Sequence, residues 1–153
     1  MPTIFTKGDL FATPDLKAYA HGVTSSGAMD AGIALAFKKR WPRMDEDYRA
    51  LCVDKRLHLG DVFPWSEGEI TVYNLVIQVH WKSHAKLAAL TRAVRRMVEL
   101  ATTAGVTRIG LPRIGTGMGG LDWPRVKSVL EAAGSASLLE LVVFEQFIRA
   151  KAE

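Results

Sequence analysis

The ten residues from Ile70 to Val79 (ITVYNLVIQV) restrict the fold more than any other part of the chain. The run is rich in β-branched and aromatic residues, has the length of a strand, and is almost continuously apolar. This pattern is typical of a strand that is buried on both faces. Such a strand needs a layer of structure on each side, so we expect a sheet with helices on both faces.

Segments with strand and helix patterns alternate around this run. Further strands are predicted from Thr3 to Thr6, from Lys17 to His21, from Thr107 to Pro112 and from Leu138 to Phe147. Helices are predicted from Ala31 to Arg40, where Trp41-Pro42 ends the helix, from Leu87 to Ala101, and from Trp123 to Ala133. This order predicts a three-layer α/β/α domain with a central mixed, mainly parallel sheet, and such sheets bind ligands at the carboxyl ends of their strands.

Composition limits the kind of protein. The 153 residues fit one domain, residues 1–153, and 48% of them are apolar. Cys52 is the single cysteine, so neither an internal disulfide nor a cysteine-based zinc site is expected, and the compartment is predicted to be the cytoplasm. The stretch from Leu138 to Ile148 is too short for a membrane span, and the N-terminus lacks the layout of a signal peptide. We expect a cytoplasmic monomer without metal or cofactor and without contact to a membrane.

Positive charge is in slight excess, with 20 Lys and Arg against 16 Asp and Glu, for a net charge of +4. An anionic partner would explain the excess, and simple solubility explains it equally well. Arg92, Arg95 and Arg96 form a short cluster on the solvent face of a predicted helix, without interleaved aromatic residues. Nucleic-acid binding through this cluster is therefore the weakest of the functional hypotheses.

Two loops rich in small residues lie between a predicted strand and a predicted helix. The glycine loop has four glycines within Gly115 to Gly120, and the first loop runs from Ser25 to Ile33. Glycines let backbone N–H groups approach a ligand, and N–H groups beside a helix N-terminus bind phosphate. Neither loop matches the phosphate-loop or dinucleotide fingerprints. Together the two loops predict a diphosphate site, and a plain connection is the alternative for the glycine loop.

The chain resembles a known family at four places in order. Lys7-Gly8-Asp9-Leu10-Phe11, Ala20-His21, Met29 to Lys39, and Pro112 to Trp123 look like the macrodomains. Within that family the chain is most similar to the branch of the terminal ADP-ribose protein glycohydrolase and the DNA-ADP-ribosyl glycohydrolase antitoxins. The resemblance runs from Lys7 to Phe144 and therefore covers nearly the whole chain.

The resemblance implies that the ligand is ADP-ribose. It assigns Asp9 to the adenine amino group, although Asp9 taken alone reads as a turn or cap residue. It places Phe144 beside the adenine, where the residue pattern alone would make it a core residue. The two loops are expected to line the distal ribose and the diphosphate from opposite sides. The implied contacts are Asp9, Leu10, Phe11, His21, Met29, Ala31, Gly32, Ile33, Ala34, Pro112, Ile114, Gly115, Thr116, Gly117, Met118, Gly119, Gly120 and Phe144.

Two catalytic residues of the glycohydrolase branch are absent. That branch uses a lysine at the end of the buried strand to attack the distal ribose, with an acidic residue in the glycine loop. Alignment through Ser83-His84 places Val79 at the lysine position, and alignment through His80-Trp81 places Gln78 there. The acidic position falls on Gly119. A covalent lysyl intermediate is therefore not expected.

Hydrolysis of mono-ADP-ribose by direct water attack is the first functional hypothesis. Gln78, His84 and Asp122 are the candidate catalytic residues, and each also has a structural interpretation: hydrogen-bonded structural groups for Gln78 and His84, and a helix N-cap for Asp122. The expected carriers of the modification are acidic side chains of proteins, and ADP-ribosylated nucleic acid is the alternative. The second hypothesis is a non-catalytic ADP-ribose reader.

Overall fold

Strands and helices alternate in the computed structural model, which describes residues 1–29 and 32–151. The strands in these ranges are β1 (Ile4–Gly8), β2 (Ala18–Thr24), β3 (Val62–Glu67), β4 (Ile70–Gln78), β5 (Arg108–Pro112) and β6 (Glu140–Phe147). The helices are α1 (Gly32–Arg40), α2 (Pro42–Val53), α3 (Leu87–Thr103) and α4 (Trp123–Ser135), and a 3-10 turn spans Leu10–Ala12. All the predicted strands and helices are confirmed, with shifts of a few residues at their ends.

The six strands form one mixed sheet in the order β1-β6-β5-β2-β4-β3. All neighbouring pairs are parallel except β3 and β4, which confirms the predicted sheet. The chain leaves β5 towards β6 on one side of the sheet and leaves β2 towards β4 on the other. The strand order therefore reverses between β5 and β2, and such a switch point is where α/β sheets bind ligands.

Helices cover both faces of the sheet, as predicted. On one face α3 and α4 pack through residues such as Leu90, Met97 and Leu130, all without exposed surface. On the other face α1 and α2 pack through Phe37, Met44 and Tyr48, also fully buried. Full burial of a large apolar side chain stabilises a fold by about 1.5–3 kcal/mol, so these two layers hold the sheet in place.

The sequence analysis missed α2 and β3. Trp41-Pro42 does end α1, but Pro42 also starts α2, because proline is well suited to the first turn of a helix, where its missing N–H group costs no hydrogen bond. β3 contains Pro64, and proline is disfavoured in the interior of a sheet because it cannot donate a hydrogen bond to the ladder. β3 lies at the edge of the sheet, where proline is tolerated.

Among the helices that the structure describes, none has the length and apolar character to cross a membrane.

Candidate functional site

The glycine loop follows β5, at the switch point of the sheet. Gly115 and Gly120 adopt φ angles of +75° and +70°, in the left-handed region that favours glycine. The N–H group of Leu121 donates to the carbonyl oxygen of Gly115 over 2.8 Å and closes the loop. The N–H groups of Gly117 and Met118 make no hydrogen bond to a residue that the structure describes. These N–H groups are therefore available to an anionic ligand.

Three glycines of this loop have different surroundings. A Cβ atom on Gly119 would lie 2.6 Å from the carbonyl oxygen of Gly115, and one on Gly120 would lie 2.7 Å from Nδ1 of His84. Around Gly117, by contrast, no atom of the described residues other than its chain neighbours lies within 4 Å of such a Cβ position. Gly119 and Gly120 are needed for packing, whereas Gly117 faces open space.

The other predicted contacts of this region divide between core and surface. Pro112 ends β5 and is buried, and Ile114 is buried among core residues. The hydroxyl of Thr116 donates to the carbonyl oxygen of Arg113 over 3.0 Å, and the side chain of Met118 is 58% exposed. Thr116 and Met118 are therefore the side chains of this set that lie nearest to solvent.

The first loop follows β2, the neighbour of β5 in the sheet. The N–H group of Ser25 donates to the carbonyl oxygen of Gln78 over 2.9 Å, so the loop starts beside the end of β4. Met29 is fully buried, whereas Gly32 is exposed at the start of α1, with Ile33 and Ala34 half-buried behind it. Ala31 lies outside the described residues. The first loop and the glycine loop therefore lie next to each other at the carboxyl ends of β2 and β5.

Helix α2 anchors the first loop. The hydroxyl of Tyr48 donates to the carbonyl oxygen of Thr24 over 2.5 Å and lies 3.2 Å from the Thr24 hydroxyl. Burial raises the pKa of Tyr48, so the hydroxyl keeps its proton and remains a donor. One turn further, the Cβ atom of Cys52 lies 3.2 Å from the Cβ position of Gly27. Tyr48 is a supporting residue that the sequence analysis missed, because it lies on a helix that was not predicted.

The end of β1 carries the residues assigned to adenine. The carboxylate of Asp9 accepts a hydrogen bond from the N–H group of Phe11 over 2.9 Å. Leu10 has no exposed surface, and Phe11 packs edge-on against Phe37 with ring centroids 5.1 Å apart. Phe144, 5% exposed, lines the same cleft as Asp9. The cleft therefore offers one carboxylate and an aromatic wall.

His21 lies in the interior of β2 and has no exposed surface. Its ring stacks on Phe37 at a centroid distance of 4.0 Å, and Nε2 lies 2.6 Å from Oδ1 of Asn74. Burial lowers the pKa of His21 to about 4, so the ring is neutral at pH 7. His21 therefore packs against α1 through Phe37 and does not line the cleft that contains Asp9.

Gln78 organises the segment from residue 79 to 86. It is buried, and its side-chain Nε2 donates to the carbonyl oxygens of His80 and Ser83 at 3.0 Å and 2.6 Å. The amide is thus engaged in structural hydrogen bonds. The next residue, Val79, is 52% exposed at the end of β4 and has no nucleophilic atom.

His84 and Asp122 lie near the C-terminal end of the glycine loop. His84 is exposed, and its ring lies against Gly120. Asp122 takes the N-cap position of α4, as predicted, but its carboxylate makes no capping hydrogen bond. Both groups therefore remain available for chemistry. The side chain of Lys82, four residues after Gln78, lies over the Trp81 ring, with Nζ 5.1 Å from the ring centroid.

A groove of about 960 Å³ lies between α3 and the segment from residue 56 to 62. Its lining includes Arg56, Arg92 and Arg95, none of which forms an ion pair within the described parts of the chain. Trp81, on the segment that leads into α3, is 46% exposed and stacks on His80. The isolated arginines were visible in the sequence, but their grouping with Arg56 depends on the fold.

A family comparison identifies the fold. The family model of the Macro domain matches residues 20–130, which is more than half of the chain. The macrodomain of Thermus aquaticus DarG superposes with a TM-score of 0.86, at 28% sequence identity, covering 94% of this chain and 97% of that chain.

Two curated relatives carry names that state an activity. The DNA ADP-ribosyl glycohydrolase of Thermus aquaticus is 28% identical over 97% of this chain, and this chain spans 42% of the length of that relative. The human ADP-ribose glycohydrolase OARD1 is 27% identical, with 92% of this chain and 89% of OARD1 covered. From its family match and its six-stranded mixed sheet, the chain belongs to the Macro domain family.

Proposed function

We propose that this chain binds ADP-ribose and hydrolyses the bond that joins its distal ribose to a modified macromolecule. The observation that carries the proposal is the pair of loops after β2 and β5. They follow neighbouring strands at the switch point, and the glycine loop presents N–H groups without a partner among the described residues. The names of the relatives support the same ligand and the same class of reaction.

The proposed reaction is a displacement at the anomeric carbon of the distal ribose. A water oxygen forms a bond to this carbon, the bond to the carrier breaks, and the proton of the water passes to the solvent or to the leaving group. The transition state resembles an oxocarbenium ion, so the negative diphosphate nearby stabilises it. The chain's part is to hold the diphosphate between the two loops and to position the water.

Direct water attack fits the residues at the end of β4. Val79 cannot act as a nucleophile, and the amide of Gln78 is engaged by backbone carbonyl groups. The exposed His84 and Asp122 remain as candidates to orient the water or assist the leaving group. Treatment with an ADP-ribosylated substrate and borohydride is expected to trap no covalent adduct, and a trapped lysine adduct would overturn this mechanism.

Calorimetry with free ADP-ribose tests the binding part of the proposal. We expect micromolar affinity in the wild type and a loss of at least about tenfold in Asp9→Ala, because one charge-assisted hydrogen bond contributes roughly 1.5–3 kcal/mol. Glu46→Ala is the matched control, since it removes an exposed carboxylate of α2 away from the cleft. Equal affinities of Asp9→Ala and the wild type for ADP-ribose would show that Asp9 does not bind the base.

A non-catalytic reader is the second candidate, favoured by the missing nucleophile at Val79. A time course of ADP-ribose release from a modified protein distinguishes the two. Release that scales with enzyme concentration and is reduced in His84→Ala or Asp122→Ala supports hydrolysis. Tight binding without release over a long incubation leaves the reader.

The carrier of the modification is the remaining choice. Acidic protein side chains remain our expectation, and one surface observation favours nucleic acid. The groove with Arg56, Arg92 and Arg95 starts beside the end of β4, because Gly60 in its wall donates to the carbonyl oxygen of Val76 over 2.8 Å. Arginines without an ion pair in the described parts of the chain, together with an exposed aromatic ring such as Trp81, suit a single-stranded backbone with its bases.

Matched substrates decide between the carriers. The release rates from an ADP-ribosylated single-stranded oligonucleotide and from a protein modified on carboxylates are compared for the wild type and Arg95→Glu. With a nucleic-acid carrier, Arg95→Glu slows release from the oligonucleotide while release from the protein is unchanged. The protein carrier is favoured if the wild type and Arg95→Glu release ADP-ribose from the oligonucleotide at equal rates. It is also favoured if only the modified protein is a substrate.

A further inference from the structure

The segment after β6 contacts the end of β1 at two points. β6 and β1 pair in parallel up to Phe147 opposite Gly8, and the N–H group of Ile148 then donates to the carbonyl oxygen of Gly8 over 2.9 Å. Two residues later the N–H group of Ala150 donates to Oδ2 of Asp9, also over 2.9 Å. The strand pairing therefore directs this segment onto the Asp9 carboxylate.

These contacts orient the carboxylate. Oδ1 accepts from the N–H group of Phe11, and Oδ2 accepts from Ala150, so each oxygen has one backbone donor. A carboxylate has about four lone-pair positions, so each oxygen can still accept a further hydrogen bond. Without Ala150, Oδ2 has no donor among the described residues, and the carboxylate is held at Oδ1 alone.

The segment forms a wall of the cleft and does not fill it. A cleft of about 480 Å³ is lined by Asp9, Phe144, Ile148, Arg149 and Ala150 with the segment in its place. A cavity of this volume is within the usual range of roughly 300–1,000 Å³ for small-molecule sites. A base can therefore enter beside the segment without displacing it.

We infer that Ala150 is a positioning residue for base recognition: its N–H group holds the Asp9 carboxylate in the orientation that accepts from the amino group of adenine. The inference rests on the proposed function, because it assigns Asp9 to the base. Preorganised acceptors bind better because the ligand does not have to order them. Ala150 itself has no side-chain group to contribute, so the effect depends on the backbone N–H group.

The test replaces that N–H group. Ala150→Pro removes the donor, and Lys151→Pro is the matched control, because it introduces the same restricted residue one position later and keeps the Ala150 N–H group. Calorimetry measures ADP-ribose and its analogue with hypoxanthine in place of adenine, which lacks the amino group. A chain that ends at Phe147 serves as a second variant, because it removes the hydrogen bonds of both Ile148 and Ala150.

We expect the affinity of Ala150→Pro for ADP-ribose to fall at least about fivefold, with a much smaller change for the hypoxanthine analogue, so that the preference for adenine decreases. The shortened chain also loses the cleft wall at Ile148 and Arg149, so it should bind both ligands more weakly, with the larger loss for ADP-ribose. Lys151→Pro should match the wild type. Unchanged affinity, equal losses for both ligands, or tighter binding of ADP-ribose would overturn the inference. If Asp9→Ala binds ADP-ribose as well as the wild type does, the assignment of Asp9 to the base is wrong. If Asp9→Ala loses affinity but Ala150→Pro does not, only the role of Ala150 is refuted.

Discussion

Gly117 and Gly119 lie in one loop, yet their missing side chains serve different purposes. A side chain on Gly119 would collide with the backbone at Gly115, whereas Gly117 faces open space beside N–H groups that have no partner among the described residues. The absence of a side chain at Gly119 is needed for the loop to fold. The absence of a side chain at Gly117 leaves room for the ligand that we propose.

Gly117→Glu is therefore predicted to abolish ADP-ribose binding while leaving the fold intact. The carboxylate would extend into the space assigned to the diphosphate, and like charges at close range cost several kcal/mol, so affinity should fall by at least about 100-fold. Calorimetry measures the binding, and thermal unfolding checks that the melting temperature is unchanged. Gly117→Ala, which adds only a methyl group, should bind much more tightly than Gly117→Glu; equal binding by Gly117→Glu and the wild type would contradict the diphosphate assignment.

His21 predicts a pH dependence of stability. Its pKa is lowered to about 4 by burial, from an ordinary value of 6.5 that the unfolded chain retains. Between these values the unfolded state binds a proton that the folded state does not, so stability is full above pH 6.5 and falls as the pH decreases towards 4. The loss attributable to this residue is up to about 3 kcal/mol.

Urea unfolding across this pH range tests the prediction with His21→Gln, which does not titrate. The variant is expected to be less stable at pH 7, because the stacking on Phe37 is lost, but to lose less stability on acidification than the wild type. Parallel stability profiles for the two proteins would show that His21 is not the titrating group.

At the scale of elements, α2 connects the core to the site. Its apolar side fills the core with Met44 and Tyr48, and the Tyr48 hydroxyl holds the carbonyl group of Thr24 at the start of the first loop. The same helix therefore stabilises the fold and orders a loop assigned to the ligand. This dual role predicts that a substitution in a helix remote from the cleft also affects binding.

Tyr48→Phe is predicted to reduce stability by about 1–2 kcal/mol, because the carbonyl group of Thr24 loses a buried donor. The affinity for ADP-ribose should fall several-fold as the first loop becomes less ordered. Denaturant unfolding and calorimetry measure the two effects. Tyr73→Phe is the control, since Tyr73 is buried on β4 and its hydroxyl makes no hydrogen bond to a described residue of the loop. Similar losses of affinity in both variants would exclude the anchoring role.

At the scale of the whole molecule, charge and ligand site are separated. The net charge of +4 includes the arginines of the groove beside α3, whereas the glycine loop presents neutral N–H groups at the position assigned to the diphosphate. The two features respond differently to salt. Contacts between arginines and nucleic-acid phosphates release counterions and weaken strongly with salt, whereas a single small anion held by backbone dipoles responds less.

The affinity for free ADP-ribose is therefore predicted to change less than about threefold between about 50 and 500 mM salt, because screening acts mainly on exposed charges. The affinity for an ADP-ribosylated oligonucleotide should fall by more than about tenfold over the same range if the groove holds its backbone. Arg95→Glu should weaken the salt dependence of oligonucleotide binding and leave the salt dependence of ADP-ribose binding unchanged. A strong salt dependence for free ADP-ribose would place charged side chains at the diphosphate.

The layered α/β fold, the mainly parallel sheet and the position of both loops could be predicted from the sequence, because they follow from local patterns: the apolar run at Ile70 to Val79, helix periodicity and glycine spacing. The adjacency of β2 and β5, the anchoring of the first loop by Tyr48 and the contact of Ala150 with Asp9 became visible only in the folded molecule. The tertiary structure also placed His21 in the core and made Gln78 a structural residue. These features join residues far apart in the chain, and which distant groups meet depends on the packing of the whole sheet and its helices, which no local pattern records.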